Sequence, residues 1–323
     1  MILLQINCEE GEGIELAKNY SIKGYPTFIL ANKDAETMSR WWGYTKELLF
    51  EKLDSGLADR STIEEKVERF ARKPDANTAK VLAAYYETKG EIKEAVAFYD
   101  QAAGLEAEND YAYELYSLHR SGLRYKIFTL EEVEKAADYA LASEKVSAEL
   151  KVRVYAGMAA YIRDNQKSEK ILSYIADGYN YIDQVSQKDP KWAINEINIA
   201  HALYIDNNEE MAVTLKKNSM KEGWQDNAGD LNGFSWWCFE NNVNLDEAEN
   251  LGRRGIKLAQ PGREKAMILD TVAEIVNLRG DSKEAISLME MAIKEDPESD
   301  YYPKQIEKFK GTATSKPATS TIE

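Results

Sequence analysis

The 323-residue sequence has only two cysteines and two histidines. Cys8 and Cys238 lie far apart, no Cys-x-x-Cys occurs, and no Cys/His spacing suits zinc, so no metal site, cofactor or disulfide is expected. Apolar runs are short. None approaches the roughly 20 residues a membrane-spanning helix needs, and the apolar start has neither the basic lead-in nor the cleavage site of a signal peptide. Positive charge is in deficit, with 41 Lys+Arg against 56 Asp+Glu and a net charge of −15. That argues against a general nucleic-acid binder, whose affinity rests on basic side chains, and against a binder of anionic membrane surfaces. Proline and glycine are also few, at 7 and 18, which favours helices. What is present describes a globular chain, 44% hydrophobic and 30% charged, long enough for two domains or for one domain plus an array.

The opening run Met1-Ile2-Leu3-Leu4-Gln5-Ile6 reads as a buried strand over 2–6, halted by a turn-like stretch around Asn7 to Gly11. Residues 13–20 follow as a helix with Ile14, Leu16, Ala17 and Tyr20 on its apolar face. Gly24-Tyr25-Pro26-Thr27 leads into a second strand over 28–31. After a turn at 32–35, residues 36–44 read as a third strand, and Thr45 can cap a helix over 46–56 because its hydroxyl accepts an orphan amide hydrogen.

The segment Leu16-Ala17-Lys18-Asn19-Tyr20-Ser21-Ile22-Lys23-Gly24-Tyr25-Pro26-Thr27-Phe28, with Gly43-Tyr44 beyond the turn, resembles the C-terminal half of a thioredoxin domain, so that residues 1–58 form a partial thioredoxin-like domain. The resemblance implies a cis Tyr25–Pro26 bond, a peptide-binding loop at Tyr25, Pro26 and Thr27, and thiol–disulfide exchange as the reaction class. The family's earlier elements and its Cys-x-x-Cys have no counterpart here, so the chain as written is expected to be inactive in redox. The missing central strand belongs between the strands at 2–6 and 27–30, which leaves an incomplete sheet or one closed by direct pairing. Met1 reads as a truncation, with a chain that evolved short as the alternative. Cys8 lies on the edge where the family's active site sits. It reads either as a residual redox thiol or as an inert cysteine at a strand end, the second favoured because no resolving thiol is at hand.

From residue 60 to 310 the chain reads as helix after helix. Leu82, Ala83, Tyr86, Gly90, Ala95, Tyr99 and Ala102 stand at the offsets of the tetratricopeptide repeat (TPR), the helix–turn–helix unit of about 34 residues. Val272, Ala273, Val276, Gly280, Ala285, Met289, Ala292 and Pro297 repeat them. The small residues let two helices approach and the large ones fill the groove between them. Pairs at 110–121/130–142, 147–163/168–187, 191–206/209–221 and 231–240/245–259 are TPR-like by pattern. The expected fold is mainly α, a solenoid of TPR-like helix pairs after a truncated α/β unit, with a disordered tail at 311–323.

Arrays of this kind use their inner face to bind partner peptides. The inward positions are Lys80, Ala84 and Glu87 in the first unit and Asp270, Glu274 and Asn277 in the last. They lack the Lys/Asn pattern that clamps a C-terminal carboxylate, and they favour a basic or neutral segment. Trp236 and Trp237 invite a ligand-platform reading, but neighbours on a helix are about 100° apart, so they are expected to fill two sides of an interhelix groove. His119 and His201 read as packed or surface residues. Two functions follow: the C-terminal portion of a thioredoxin-like/TPR thiol–disulfide protein, or a non-catalytic scaffold that binds a protein or peptide. Compartment and oligomeric state are left open.

Overall fold

The structure is a computed structural model that describes residues 3–106, 108–163, 168–185 and 189–314. Its contacts divide the chain into two compact units, one up to Val154 and one from Tyr155 onward.

The N-terminal unit begins with helix α1 (Glu12–Asn19), strands β1 (Thr27–Ala31) and β2 (Thr37–Trp42), and helix α2 (Lys46–Ala58). The strands pair antiparallel, Thr27 opposite Trp42 and Leu30 opposite Ser39, with an irregularity at Leu30/Ala31 that leaves Met38 as the extra residue. Leu30, Met38 and Trp41 are buried against Leu48, Leu49 and Leu53 of α2, and Phe28 stacks on Trp41 at 5.4 Å. Thr45 caps α2 by accepting the Leu48 amide hydrogen at 3.1 Å.

The strand expected over 2–6 does not form. Ile2 lies outside the described residues, residues 3–7 carry no regular structure, and Leu3, Leu4 and Ile6 are 81%, 75% and 47% exposed. The physical reason is the missing ladder partner: the described residues hold a two-stranded sheet only, so the apolar run has no strand to bond to. The thioredoxin-like reading therefore lacks support in the fold, although the Tyr25–Pro26 bond is cis.

Helices α3 (Ile63–Arg72), α4 (Ala76–Lys89), α5 (Ile92–Leu105), α6 (Ala112–Arg124), α7 (Leu130–Ala142) and α8 (Ala148–Ala159) follow, the unit boundary falling inside α8. A capping box starts α3. The Thr62 hydroxyl accepts the Glu65 amide at 3.2 Å, and the Glu65 carboxylate accepts the Thr62 amide at 2.8 Å. Thr62→Ala removes one arm of the box and is expected to cost about 1 kcal/mol, read as a lower urea midpoint at unchanged m-value. Helices α4 and α5 form a hairpin around Gly90, whose φ of 80° is the left-handed region that glycine enters freely. Its amide donates to the Glu87 carbonyl and the Glu91 amide to the Tyr86 carbonyl, both at 2.9 Å, closing the helix end. Ala79, Ala83, Ala95 and Ala102 are fully buried in the hairpin, so the small-residue pattern works as read.

The unit from Tyr155 contains α9 (Glu169–Tyr181), α10 (Lys191–Ala200), α11 (Glu209–Ser219), α12 (Ala228–Asn241), α13 (Leu245–Leu258), α14 (Arg263–Leu278), α15 (Ser282–Glu295) and α16 (Tyr301–Thr314). The α14/α15 hairpin repeats the device of α4/α5. Gly280 has φ 101°, its amide bonds the Asn277 carbonyl at 2.9 Å, and the Asp281 amide bonds Val276 at 3.1 Å. Asn242 ends α12 the same way. At Gly252 of α13 a Cβ would sit 2.6 Å from Val272, so the glycine permits close approach to α14. Helix α16 buries Tyr302 and Phe309 against Leu269, Val272 and Val276, which gives the last hairpin a terminal cover. The tail expected at 311–323 is corrected in part: α16 runs through Thr314, and residues 315–323 lie outside the described residues. With helix pairs dominating and a two-stranded sheet at the start, the fold is mainly α and TPR-like.

Candidate functional site

The C-terminal unit holds a cleft of about 270 Å³ lined by successive first helices of its pairs. Helix α12 contributes Gly233, Trp236, Trp237, Glu240 and Asn241. These stand at i, i+3, i+4, i+7 and i+8, the stripe that one face of a helix presents. Glu196, Ile199, Ala200, Leu203 and Tyr204 repeat that spacing from the segment of α10. Ala159 at the end of α8, Ala160, Ile162 and Arg163 just past it, and Lys216 of α11 complete the walls.

Helix α10 does not end at Ala200. It continues through a π turn, His201–Ile205, in which the Asp206 amide reaches back to the His201 carbonyl at 3.0 Å. Such turns concentrate at functional sites, and this one carries Leu203 and Tyr204 into the cleft. The Tyr204 hydroxyl donates to Asn241 Oδ1, and Asn241 Nδ2 donates to the Trp237 carbonyl at 2.7 Å, which links the two lining faces. Arg163 pairs with Glu240 across the cleft. Lys216 Nζ lies 5.7 Å from the Trp237 ring centroid, within cation–π range. Burial pushes the Tyr204 phenol up, helped by Glu196 and Glu240 and opposed by Arg163, so it stays a neutral donor.

Both tryptophans border this cleft, and Trp237 also packs against the cluster of Leu203, Ala212 and Val243. The tryptophans' 100° separation is about the width of a lining stripe, and the flanking Gly233, Glu240 and Asn241 share it. The signal was present in the sequence as a period: Gly233, Trp236, Trp237 and Glu240 repeat the spacing of Glu196, Ile199, Ala200 and Leu203. The π turn has no such signature. Among the described residues the walls carry two cations and two carboxylates between apolar and aromatic surfaces, with no histidine, cysteine or serine. This arrangement can hold a ligand through aromatic faces and paired charges.

None of the inward positions read from the sequence is among the residues that line this cleft. Glu274 is 5% exposed and pairs with Lys308 of α16 at 2.6 Å. Asp270 accepts the Tyr301 hydroxyl at 3.4 Å, and Asn277 accepts the Ser282 hydroxyl at 2.8 Å. In the last hairpin these residues thus meet α16 and the hairpin turn. In the first, Lys80 pairs with Glu106 at 3.4 Å, Ala84 is half-buried, and burial, reinforced by Glu114, pushes the Glu87 carboxyl up to about 7.

In the N-terminal loop, Tyr25 is 65% exposed, the Pro26 carbonyl accepts the Gly43 amide at 3.1 Å, and the Thr27 hydroxyl donates to the Gly24 carbonyl at 2.6 Å. Cys8 is free and half-buried, its sulfur 3.9 Å from the Ile6 carbonyl. Cys238 is free and fully buried in a core of Leu231, Phe234 and Ala248, and burial pushes its thiol up to about 12. That holds it as an inert thiol. His119 stacks on Phe128 at 4.3 Å and His201 on Tyr179 at 3.8 Å, as packed residues. Among the described residues no His/Cys/Asp/Glu cluster could hold a metal ion, and no helix is long and apolar enough to cross a membrane.

The fold that carries the cleft is mainly α, built of TPR-like helix pairs. No family model and no curated protein matches the sequence. Among solved structures the chain is similar to the APC/C hetero-tetramer Cut9–Hcn1, at TM-score 0.42 and 12% identity over 76% of this chain and 45% of that one. It is also similar to yeast Tom70, at TM-score 0.37 and 16% identity over 78% and 50%, and to BtubC (BKLC) from P. vanneervenii, at 0.34 and 12% over 81% and 96%. The chain spans about half the length of the first two.

Proposed function

We propose that the protein is a non-catalytic interaction scaffold whose C-terminal unit holds an extended segment of a partner protein in the cleft between α10 and α12. The observation that carries this reading is the pair of matched helical stripes, which puts Trp236, Trp237 and Tyr204 beside a balanced set of charges. Flat aromatic side chains supply contact area at low entropic cost, and aromatic residues and arginine dominate binding hot spots. Two cations matched by two carboxylates favour a neutral, apolar-to-aromatic segment over a strongly charged one.

The test uses peptides selected from a displayed random library against the full chain, with affinity read by fluorescence anisotropy. At Gly233 a Cβ would meet no atom within 4 Å, and the residue borders the cleft, so Gly233→Phe starts its side chain without a clash at the cleft wall. It is expected to weaken selected peptides at least tenfold, equivalent to about 1.4 kcal/mol, with Tm unchanged or raised. Unchanged affinity in Gly233→Phe, or failure to recover any binder, counts against the reading.

The same reading predicts no disulfide reductase activity. In an insulin-reduction assay with dithiothreitol the chain is expected to match the protein-free rate, and Cys8→Ser is expected to change nothing. A rate above background that Cys8→Ser abolishes would restore the redox reading.

A further inference from the structure

The N-terminal unit contains a second cleft, of about 470 Å³, bordered by β2, the end of α2, α3 and α4. In a chain of net charge −15 this cleft is rich in cations. Lys52 and Lys80 meet Glu51 and Glu106 at 3.2 and 3.4 Å. Deeper in, Arg40 and Lys66 are only 3% and 2% exposed. The Arg40 guanidinium donates to the backbone carbonyls of Tyr20, Ser21 and Thr88, and the Lys66 ammonium to those of Asp59 and Ser61. Carbonyls orient a cation without neutralising it. Among the described residues three carboxylates border the cleft: Glu51 meets Lys52, Asp75 accepts the Thr78 hydroxyl, and Asp59 pairs with Arg69 at 2.5 Å and with Lys66 at 3.7 Å. Lys66 thus shares one carboxylate with Arg69, and among the described residues Arg40 has none within ion-pair distance; positive charge buried with a shared or missing counter-ion is costly. Burial accordingly lowers the proton affinity of both Arg40 and Lys66.

A second observation is independent of charge. Three consecutive residues of β2 that border the cleft each carry a buried donor with no acceptor on the protein: Ser39 Oγ, Arg40 Nε and Trp41 Nε1. The residues are 8%, 3% and 5% exposed. Orphaned buried groups are few in folded proteins, and here consecutive residues carry three that can donate, Ser39 and Trp41 on one face of β2 and Arg40 on the other. Met38, Val81 and Ala84 add an apolar wall. The volume falls in the range of small-molecule sites.

We propose that this cleft binds a small organic dianion through carboxylate or phosphate oxygens, with Arg40 and Lys66 supplying the charge and Ser39 and Trp41 the remaining hydrogen bonds. The site is separate from the partner-binding cleft and does not depend on it.

The experiment measures thermal unfolding of the full chain, and the indole N–H resonance of Trp41, assigned with Trp41→Phe. Sodium succinate, glycerol 3-phosphate and inorganic phosphate are titrated at constant ionic strength against chloride. At tenfold excess over Kd one of the dianions is expected to raise Tm by about 4 °C and to shift the Trp41 indole N–H. A preference for succinate identifies a carboxylate ligand, and a preference for either phosphate identifies a phosphoryl ligand. Lys66→Met is expected to fold, because an apolar side chain of similar length replaces a buried charge, and to lose the rise. Ser39→Ala, which removes one small donor, is expected to weaken binding at least threefold. No movement of the indole resonance with any probe overturns the proposal, as does a Tm rise that persists undiminished in both variants, since that marks a general salt effect.

Discussion

Phe234→Ala is expected to destabilise the C-terminal unit by about 3–5 kcal/mol, the cost of emptying a buried aromatic site. Phe234 is fully buried on α12 and packs on Trp224 at 5.2 Å, within a core that includes Leu231, Cys238, Ala248 and Ile275. The truncation leaves a cavity that these neighbours cannot close, because Ala248 and Cys238 are small and fixed on opposed helices. Urea unfolding followed by tryptophan fluorescence reads the loss as a lower midpoint. Trp236→Ala, on the partly exposed side of the same helix, is expected to cost far less while still weakening peptide binding. The contrast separates the two faces of α12, one for the core and one for the cleft. A cost under 1 kcal/mol for Phe234→Ala would contradict the packing of α12 described above.

The second large effect depends on pH. Asp270 lies between α14 and α16, where burial and then the neighbouring Glu274 push its carboxyl from 3.8 up to about 7, with the Tyr301 hydroxyl and Lys308 opposing the rise. A carboxyl raised in the folded state binds a proton that the unfolded chain has released. Its stabilising contribution is complete below about pH 4 and is lost as pH climbs to 7. Asp270→Asn mimics the protonated form. It is expected to match the wild type near pH 4 and to exceed it by about 2 kcal/mol at pH 8. Equal stabilities at pH 8 would show that Asp270 is solvated and α16 loosely docked.

The helical part was legible because its signals are local. Leu82, Ala83, Gly90 and Ala95 announce a hairpin through spacing alone, and Gly280 repeats the announcement. The capping oxygen of Thr45 marks a helix start for the same reason, and it accepts the expected amide hydrogen. The first strand was misread because a strand needs a partner that no local pattern supplies: an apolar run at 2–6 satisfies the pattern and still finds no ladder. The inward positions of the last hairpin were assigned by repeat offset, which cannot see that Tyr301 and Lys308 of a later helix turn back onto them. The cleft between α10 and α12 is half visible in the sequence: Trp236 and Trp237 stand out, their shared stripe with Gly233, Glu240 and Asn241 shows only as a spacing, and the π turn that brings Tyr204 to Asn241 has no sequence mark. The cation-rich cleft was invisible, since Arg40 and Lys66 are distant in sequence and look like ordinary surface residues until the fold buries them.

Hydrogen exchange of the full chain, with and without a selected peptide, tests the central claim most directly. Peptide binding is expected to slow amide exchange in α10, the π turn His201–Ile205 and α12, with Gly233→Phe erasing the effect. Protection confined to residues before Val154, or capture of the peptide through Cys8, would contradict the assignment of the cleft between α10 and α12 as the partner site.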